Sequence, residues 1–135
     1  MAAINAFAWP VRVYYEDTDA GGVVYHSNYL NFMERARTEW LRSLGFEQTA
    51  LKDELGIIIV IHSLNITFNS PARFNDLLTI KCELAGLGRS SMDMKQMILR
   101  DNVLLAEAQV KGVFVDVLSF KPVGIPNQIK QAMEK

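Results

Sequence analysis

One segment constrains this chain more than any other. Between Asn28 and Leu44 the apolar residues Tyr29, Phe32, Met33, Ala36, Trp40, Leu41 and Leu44 recur at spacings of three and four. Glu34, Arg35, Arg37, Glu39 and Arg42 fall mostly on the other faces. The spacing predicts an amphipathic helix of about 25 Å. Ser27 or Asn28 stands where a short polar side chain can cap the first turn, and Gly45 where a left-handed residue ends it.

No second segment of that length and period follows. Glu47 to Leu55 reads as a short helix closed by Gly56. The pattern then turns to β-rich runs: Ile57 to Asn69, Leu77 to Ala85, Ser90 to Arg100 and Val103 to Val117. A shorter run behind Pro10, Val11 to Tyr15, precedes the long helix. Pro71 with Asn75-Asp76, Gly86 with Gly88, and Asp101-Asn102 punctuate the junctions with turn-tolerant residues, so neighbouring strands are expected to be antiparallel. Pro122 and Pro126 end the sheet region, and Asn127 to Glu134 reads as a terminal helix.

One helix cannot cover both faces of such strands. The compact solution is an α+β fold, a curved antiparallel β-sheet wrapped around the long central helix. Several strands carry Ile, Val, Leu and Met on both alternations, so the outer face or an edge is expected to be covered by a second copy of the chain.

Composition narrows the function. The chain has 135 residues, with 14 Lys+Arg against 15 Asp+Glu and a formal net charge of −1. That length makes residues 1–135 one expected domain, and the even charge argues against nucleic acid as partner. Half the residues are apolar, enough for one core. Cys82 is the single cysteine, which excludes an intrachain disulfide and fits a reducing, cytoplasmic setting. Met1 to Pro10 shows no leader pattern, and no run of eighteen apolar residues marks a membrane-spanning segment.

Glu16, Asp17 and Asp19 place three carboxylates in a turn before the helix. On spacing alone this is a solvated turn whose charge favours the helix start. A calcium loop from Asp17 would have Gly21 and Asn28 where it needs ligands, and zinc would have only His26, His62 and Cys82 to draw on. No metal site is expected. GxSxG, a phosphate loop and a full GxGxxG are all missing, since Gly86-Leu87-Gly88 stops short.

One chemistry survives. A carboxylate, ionised at neutral pH, would face the unpaired amides at a helix N-terminus, which suit an oxygen that becomes negative when a carbonyl is attacked. Gly21 to Ser27 joins the two, and Gly22 and Val23 are candidate substrate contacts because glycine lets backbone amides approach a ligand. No second acid is placed to protonate an amine or alkoxide. A thiol, with a reference pKa of about 8.5, needs less help to leave, so thioesters fit better than amides.

Val11 to Leu41, VRVYYEDTDAGGVVYHSNYLNFMERARTEWL, resembles the signature of the 4-hydroxybenzoyl-CoA thioesterase branch of the hotdog-fold superfamily, and within it the Tol-Pal-associated acyl-CoA thioesterase (YbgC-like) subgroup. The resemblance implies thioester hydrolysis with Asp19 as catalytic carboxylate, nucleophile or general base. It places the carbonyl-polarising amide at His26, beside Tyr25. It implies homodimers or homotetramers with an acyl-CoA thioester at the dimer interface, and no cofactor beyond the CoA of the substrate.

By the same resemblance the hairpin Arg89-Ser90-Ser91 would contact CoA, and Glu34 would lie near the opposing site. Arg89 stands alone where the benzoyl-CoA enzyme has adjacent basic residues, which leaves an acyl-carrier-protein thioester as an alternative substrate. His62 reads as a histidine satisfied within the sheet and Ser63 as a neighbour able to border the thioester; both are carried as substrate-binding candidates. A non-catalytic hotdog scaffold that docks on acyl carrier or phospholipid-synthesis proteins is the alternative function, and a hydroxyacyl-thioester dehydratase a third.

Overall fold

The computed structural model describes residues 4–134. Five strands form one antiparallel sheet in the order β1-β3-β4-β5-β2, with β1 at Ile4–Arg12, β2 at Ile57–Phe68, β3 at Leu77–Leu87, β4 at Ser91–Arg100 and β5 at Val103–Asp116. The long helix α1 spans Asn28–Ser43. A short α2, Gln48–Ala50, runs on into a π-helical turn, Leu51–Leu55, and α3 covers Asn127–Glu134. The expected α+β architecture is the one observed.

α1 buries Tyr29, Phe32, Met33, Ala36, Trp40 and Leu41, the stripe read from the sequence. They pack on the inward positions of the sheet, including Leu78, Ile80, Met94, Ile98 and Phe114. Gly45 closes the helix at φ +94°, where its N–H donates to the Arg42 carbonyl and Phe46 N–H reaches back to Leu41. Asp101 and Asn102 both take positive φ in the two-residue turn between β4 and β5, the geometry a tight hairpin demands.

The structure corrects four expectations. The first strand ends at Arg12 rather than starting at Val11, because its partner β3 begins at Leu77, opposite Arg12. Pro10 lies inside it, paired with Thr79, which an edge strand tolerates because a proline needs no donor on the open side. Tyr15, expected at the strand's end, instead opens a 3₁₀ turn, Tyr15–Asp17. Neither cap candidate caps: Ser27 is already helical, with no side-chain bond to the first turn, and the Asn28 side chain is turned to Asp17.

The outer face is largely polar. Outward positions on β3, β4 and β5 carry Lys81, Glu83, Asp93, Lys95, Glu107 and Lys111, a surface made for water. The apolar residues on the second alternation gather at one end of the β2–β5 pair, where Ile58 lies opposite Val115 and Val60 opposite Val113. Met97 points outward as well, and Gln96 takes the inward place between Met94 and Ile98.

Gln96 is 0% exposed and fully bonded. Its amide donates to the Met33 carbonyl (2.9 Å) and Cys82 Sγ (3.1 Å), and its oxygen accepts from Arg37 (2.8 Å). Burial pushes the Cys82 thiol up to about 11, against the smaller pull of Gln96 and Arg37, which leaves the cysteine unreactive as a thiolate.

β2 is the other edge strand. Ile57, Ile59 and Ile61 face inward, as do Leu64, Ile66 and Phe68, with a bulge at His62 between the two sets. Ile61 remains 44% exposed and Phe68 47%, although the Tyr29 ring of α1 packs edge-on against Phe68 (5.2 Å between centroids).

Candidate functional site

The acidic turn and the helix start form one hydrogen-bonded unit. Tyr14 N–H donates to Asp17 Oδ2 (2.9 Å), and Asn28 Nδ2 donates to Asp17 Oδ1 (2.9 Å). Tyr25 N–H donates to the Asp17 carbonyl (3.0 Å). Above this base the loop folds on itself: Asp19 N–H meets the Val23 carbonyl (2.9 Å), and Gly22, at φ +78°, donates to the Asp19 carbonyl (3.0 Å). The loop is tied sideways by Val24 N–H to the Ala72 carbonyl (2.8 Å) and by Ala72 N–H to the buried Tyr29 hydroxyl (3.0 Å).

Asp19 lines an open cleft of about 340 Å³ together with Val23, His26, Tyr29 and Phe68. One carboxylate oxygen, Oδ1, accepts from Gly21 N–H (2.8 Å). Among the described residues no group donates to the other. The N–H groups of His26 and Ser27, at the mouth of α1, likewise have no protein acceptor among the described residues. A carboxylate oxygen without a protein donor, on Asp19, and a free amide, on His26, belong to residues that line one cleft, and these are the parts needed to attack a carbonyl and to hold its developing charge.

The remaining candidates are dispersed. Gly22 lies in the loop, and Tyr25 is exposed with its ring against His26 (4.4 Å between centroids). Glu34 borders a separate pocket of about 130 Å³ beside Arg37 and Ile61, where it accepts from Thr38 Oγ1 (2.6 Å). Ser63 edges a depression on the outer sheet face with Asp93 and Lys111. His62 is exposed on its bulge rather than satisfied within the sheet, because the extra residue has no partner across the ladder.

Arg89, Ser90 and Ser91 sit at the β3–β4 hairpin, where Arg89 accepts from Ile125 N–H through its carbonyl and Ser90 from Phe114 N–H. Ser91 pairs with Val113 and Phe68 with Ala106, so hairpin and cleft lie about 20 Å apart along β5. The sequence also left Tyr29, Phe68 and Pro71 unassigned to the cleft; Pro71 had been read only as punctuation. Among the described residues, no cluster of three or more His, Cys, Asp or Glu could hold a metal ion, and no helix is long and apolar enough to cross a membrane.

Residues 13–133 match the model of the thioesterase-like superfamily. The chain belongs to that superfamily. It is similar to acyl-CoA thioesterase YbgC of Haemophilus influenzae, with 44% identity over 95% of this chain and 94% of that protein. It is 48% identical to acyl-CoA thioester hydrolase YbgC of Escherichia coli O6:H1, over 91% of this chain and 92% of that one. The structure of 4-hydroxybenzoyl-CoA thioesterase from Pseudomonas sp. strain CBS-3 superposes with a TM-score of 0.89 at 22% identity, covering 95% of this chain and 99% of that one. The fold is therefore the hotdog fold. As a thioesterase-superfamily chain, it is an enzyme of the thioester-hydrolase class.

Proposed function

We propose that this chain hydrolyses acyl-CoA thioesters, with Asp19 as nucleophile or general base and the helix-start amide of His26, beside Tyr25, polarising the carbonyl. One observation carries the reading: the unpartnered Asp19 oxygen and the free His26 amide line one cleft. In the general-base form Asp19 takes a proton from water and the hydroxyl oxygen bonds to the carbonyl carbon. The carbonyl oxygen gains charge against the His26 N–H, the carbon–sulfur bond breaks, and the CoA thiolate takes up a proton. The chemistry asks for no group beyond the CoA of the substrate. The names of the similar curated proteins support acyl-CoA as substrate, and the buried, lone Cys82 suits the cytoplasm.

The working unit in this reading is a homodimer, the building block of any tetramer, joined along β2. Antiparallel pairing of two β2 edges about a two-fold axis would cover Ile61 and Phe68. It would also carry one chain's Arg89-Ser90-Ser91 hairpin and Glu34 pocket toward the other chain's cleft, since within one chain they stand at opposite ends of the strand.

The test is thiol release from a panel of short, long and aromatic acyl-CoAs and an acyl-carrier-protein thioester. Asp19→Asn is expected to keep the fold and substrate binding and to lose hydrolysis by about a hundredfold or more. Turnover equal to the native chain would remove the mechanism.

A further inference from the structure

Two polar or charged side chains are buried among the described residues, Gln96 inside the core and Asp17 under the loop. Asp17 is only 9% exposed and belongs to none of the ion pairs found among the described residues. Burying a carboxylate away from any cation is costly unless neutral donors satisfy it. Two do, and they come from different segments: the Tyr14 N–H just before the 3₁₀ turn and the Asn28 amide at the first residue of α1.

The Tyr14 bond is local and closes the 3₁₀ turn. The Asn28 bond spans eleven residues and does something else. With the bond from Tyr25 N–H to the Asp17 carbonyl, it makes two rungs between the turn and the helix start. His26 and Ser27, whose amides have no protein acceptor, are the two residues between those rungs. Asp19 hangs on the same turn, two residues past Asp17.

We infer that Asp17 is a positioning residue, whose carboxylate, through Asn28, fixes the loop bearing Asp19 against the free amides of His26 and Ser27. This rests on the reading of Asp19 and His26 as the reacting pair. The side chain of Asp17 touches no substrate in this arrangement; it sets the separation and direction of the groups that do. Small displacements of such groups cost far more in rate than in binding.

The test exchanges the two partners. In Asp17→Asn the new amide can keep the Tyr14 bond through its oxygen, yet it turns donors toward the donors of Asn28, so the link to the helix is lost. Asn28→Asp sets two carboxylates against each other. In the double variant the amide at 17 donates to the carboxylate at 28 while its oxygen still accepts from Tyr14, and the link is rebuilt with reversed polarity.

Each single variant is expected to lower kcat on a good acyl-CoA by about tenfold to a hundredfold with KM little changed. The exchanged pair is expected to recover most of that loss, and the inflection of the pH–rate profile should stay where the native chain has it. Recovery also rules out Asp17 as the reacting carboxylate, since the exchange removes its charge from position 17. Asn28→Ala cuts the same link without touching the Tyr14 bond, so it reads the effect even where Asp17→Asn does not fold. Single variants with native kcat, or an exchanged pair that folds but is no faster than either single, would overturn the inference. If Asp19→Asn is inactive in the same assays, only the positioning role has failed; if Asp19→Asn is active, the underlying mechanism has.

Discussion

The two halves of this sheet's inner face are finished to different standards. Over β3 and β4, α1 lays down Phe32, Met33 and Trp40, and the inward residues Leu78, Ile80 and Ile98 are fully shielded. Along β2 an equally apolar inward row ends in Ile61 and Phe68, close to half exposed. The difference lies in what covers each row, since both are rich in branched aliphatic residues. One half is completed by the chain's own helix, and the other has the composition of a core without its lid, the surface that the proposed dimer would cover.

The covered half should be the easiest to destroy. Trp40 is 1% exposed, and Trp40→Ala is expected to cost about 3–5 kcal/mol, enough to abolish or sharply weaken cooperative unfolding in a thermal melt. A loss below about 1 kcal/mol would mean that the helix does not seal the core as described.

A smaller effect should come from the ion pair that ties the ends of this half together. Asp76 accepts from Arg100 (2.7 Å) and from Arg73 N–H (2.8 Å). Partial burial works against its charge, and those hydrogen bonds outweigh it, so the carboxyl is held below its usual range. Its contribution is complete above the unfolded carboxyl's titration and is lost as the pH falls through the lower, folded value. Asp76→Asn should therefore lower stability by about 1 kcal/mol at neutral pH. The gap between the two proteins in denaturant melts should close below about pH 4. A gap that persists in acid would show that the charge is not what matters.

The smallest effect on a single chain, and the one that decides the contrast, is expected at β2. Ile61→Asp should change the stability of one protomer by less than about 1 kcal/mol, because the side chain is exposed there. It should nonetheless convert the proposed dimer to monomer in light scattering and depress thiol release. The same reversal on the outer face, Lys81→Asp, should leave assembly alone. Association unaffected by Ile61→Asp would place the partner elsewhere.

The sequence exposed what repeats and concealed what occurs once. The stripe from Tyr29 to Trp40, Gly45 and the Asp101-Asn102 turn were legible because each rests on a local rule, a period or a sign of φ. Gln96 was legible in principle, since a period of two through Met92, Met94 and Ile98 requires an inward residue at 96. Asp17 was hidden: its partner lies eleven residues away across a loop, and no periodicity reports such a contact. The pieces of the candidate site nearest in sequence, from Asp19 to His26, come together in one chain. Glu34, Ser63 and Arg89 do not, and a reading confined to a single chain had no way to assign their distances.

The bulge in β2 carries a consequence of its own. Side chains alternate strictly along a strand, so Ile57, Ile59 and Ile61 could not share a side with Leu64, Ile66 and Phe68 unless one residue were slipped in between. His62 is that residue, a phase shifter in the ladder. Its identity matters less than the slip it absorbs: were the ladder to close up with no bulge, the two greasy sets would stand back to back, one toward the helix and one toward water, whereas deleting this one residue would restore strict alternation with both sets on the helix side.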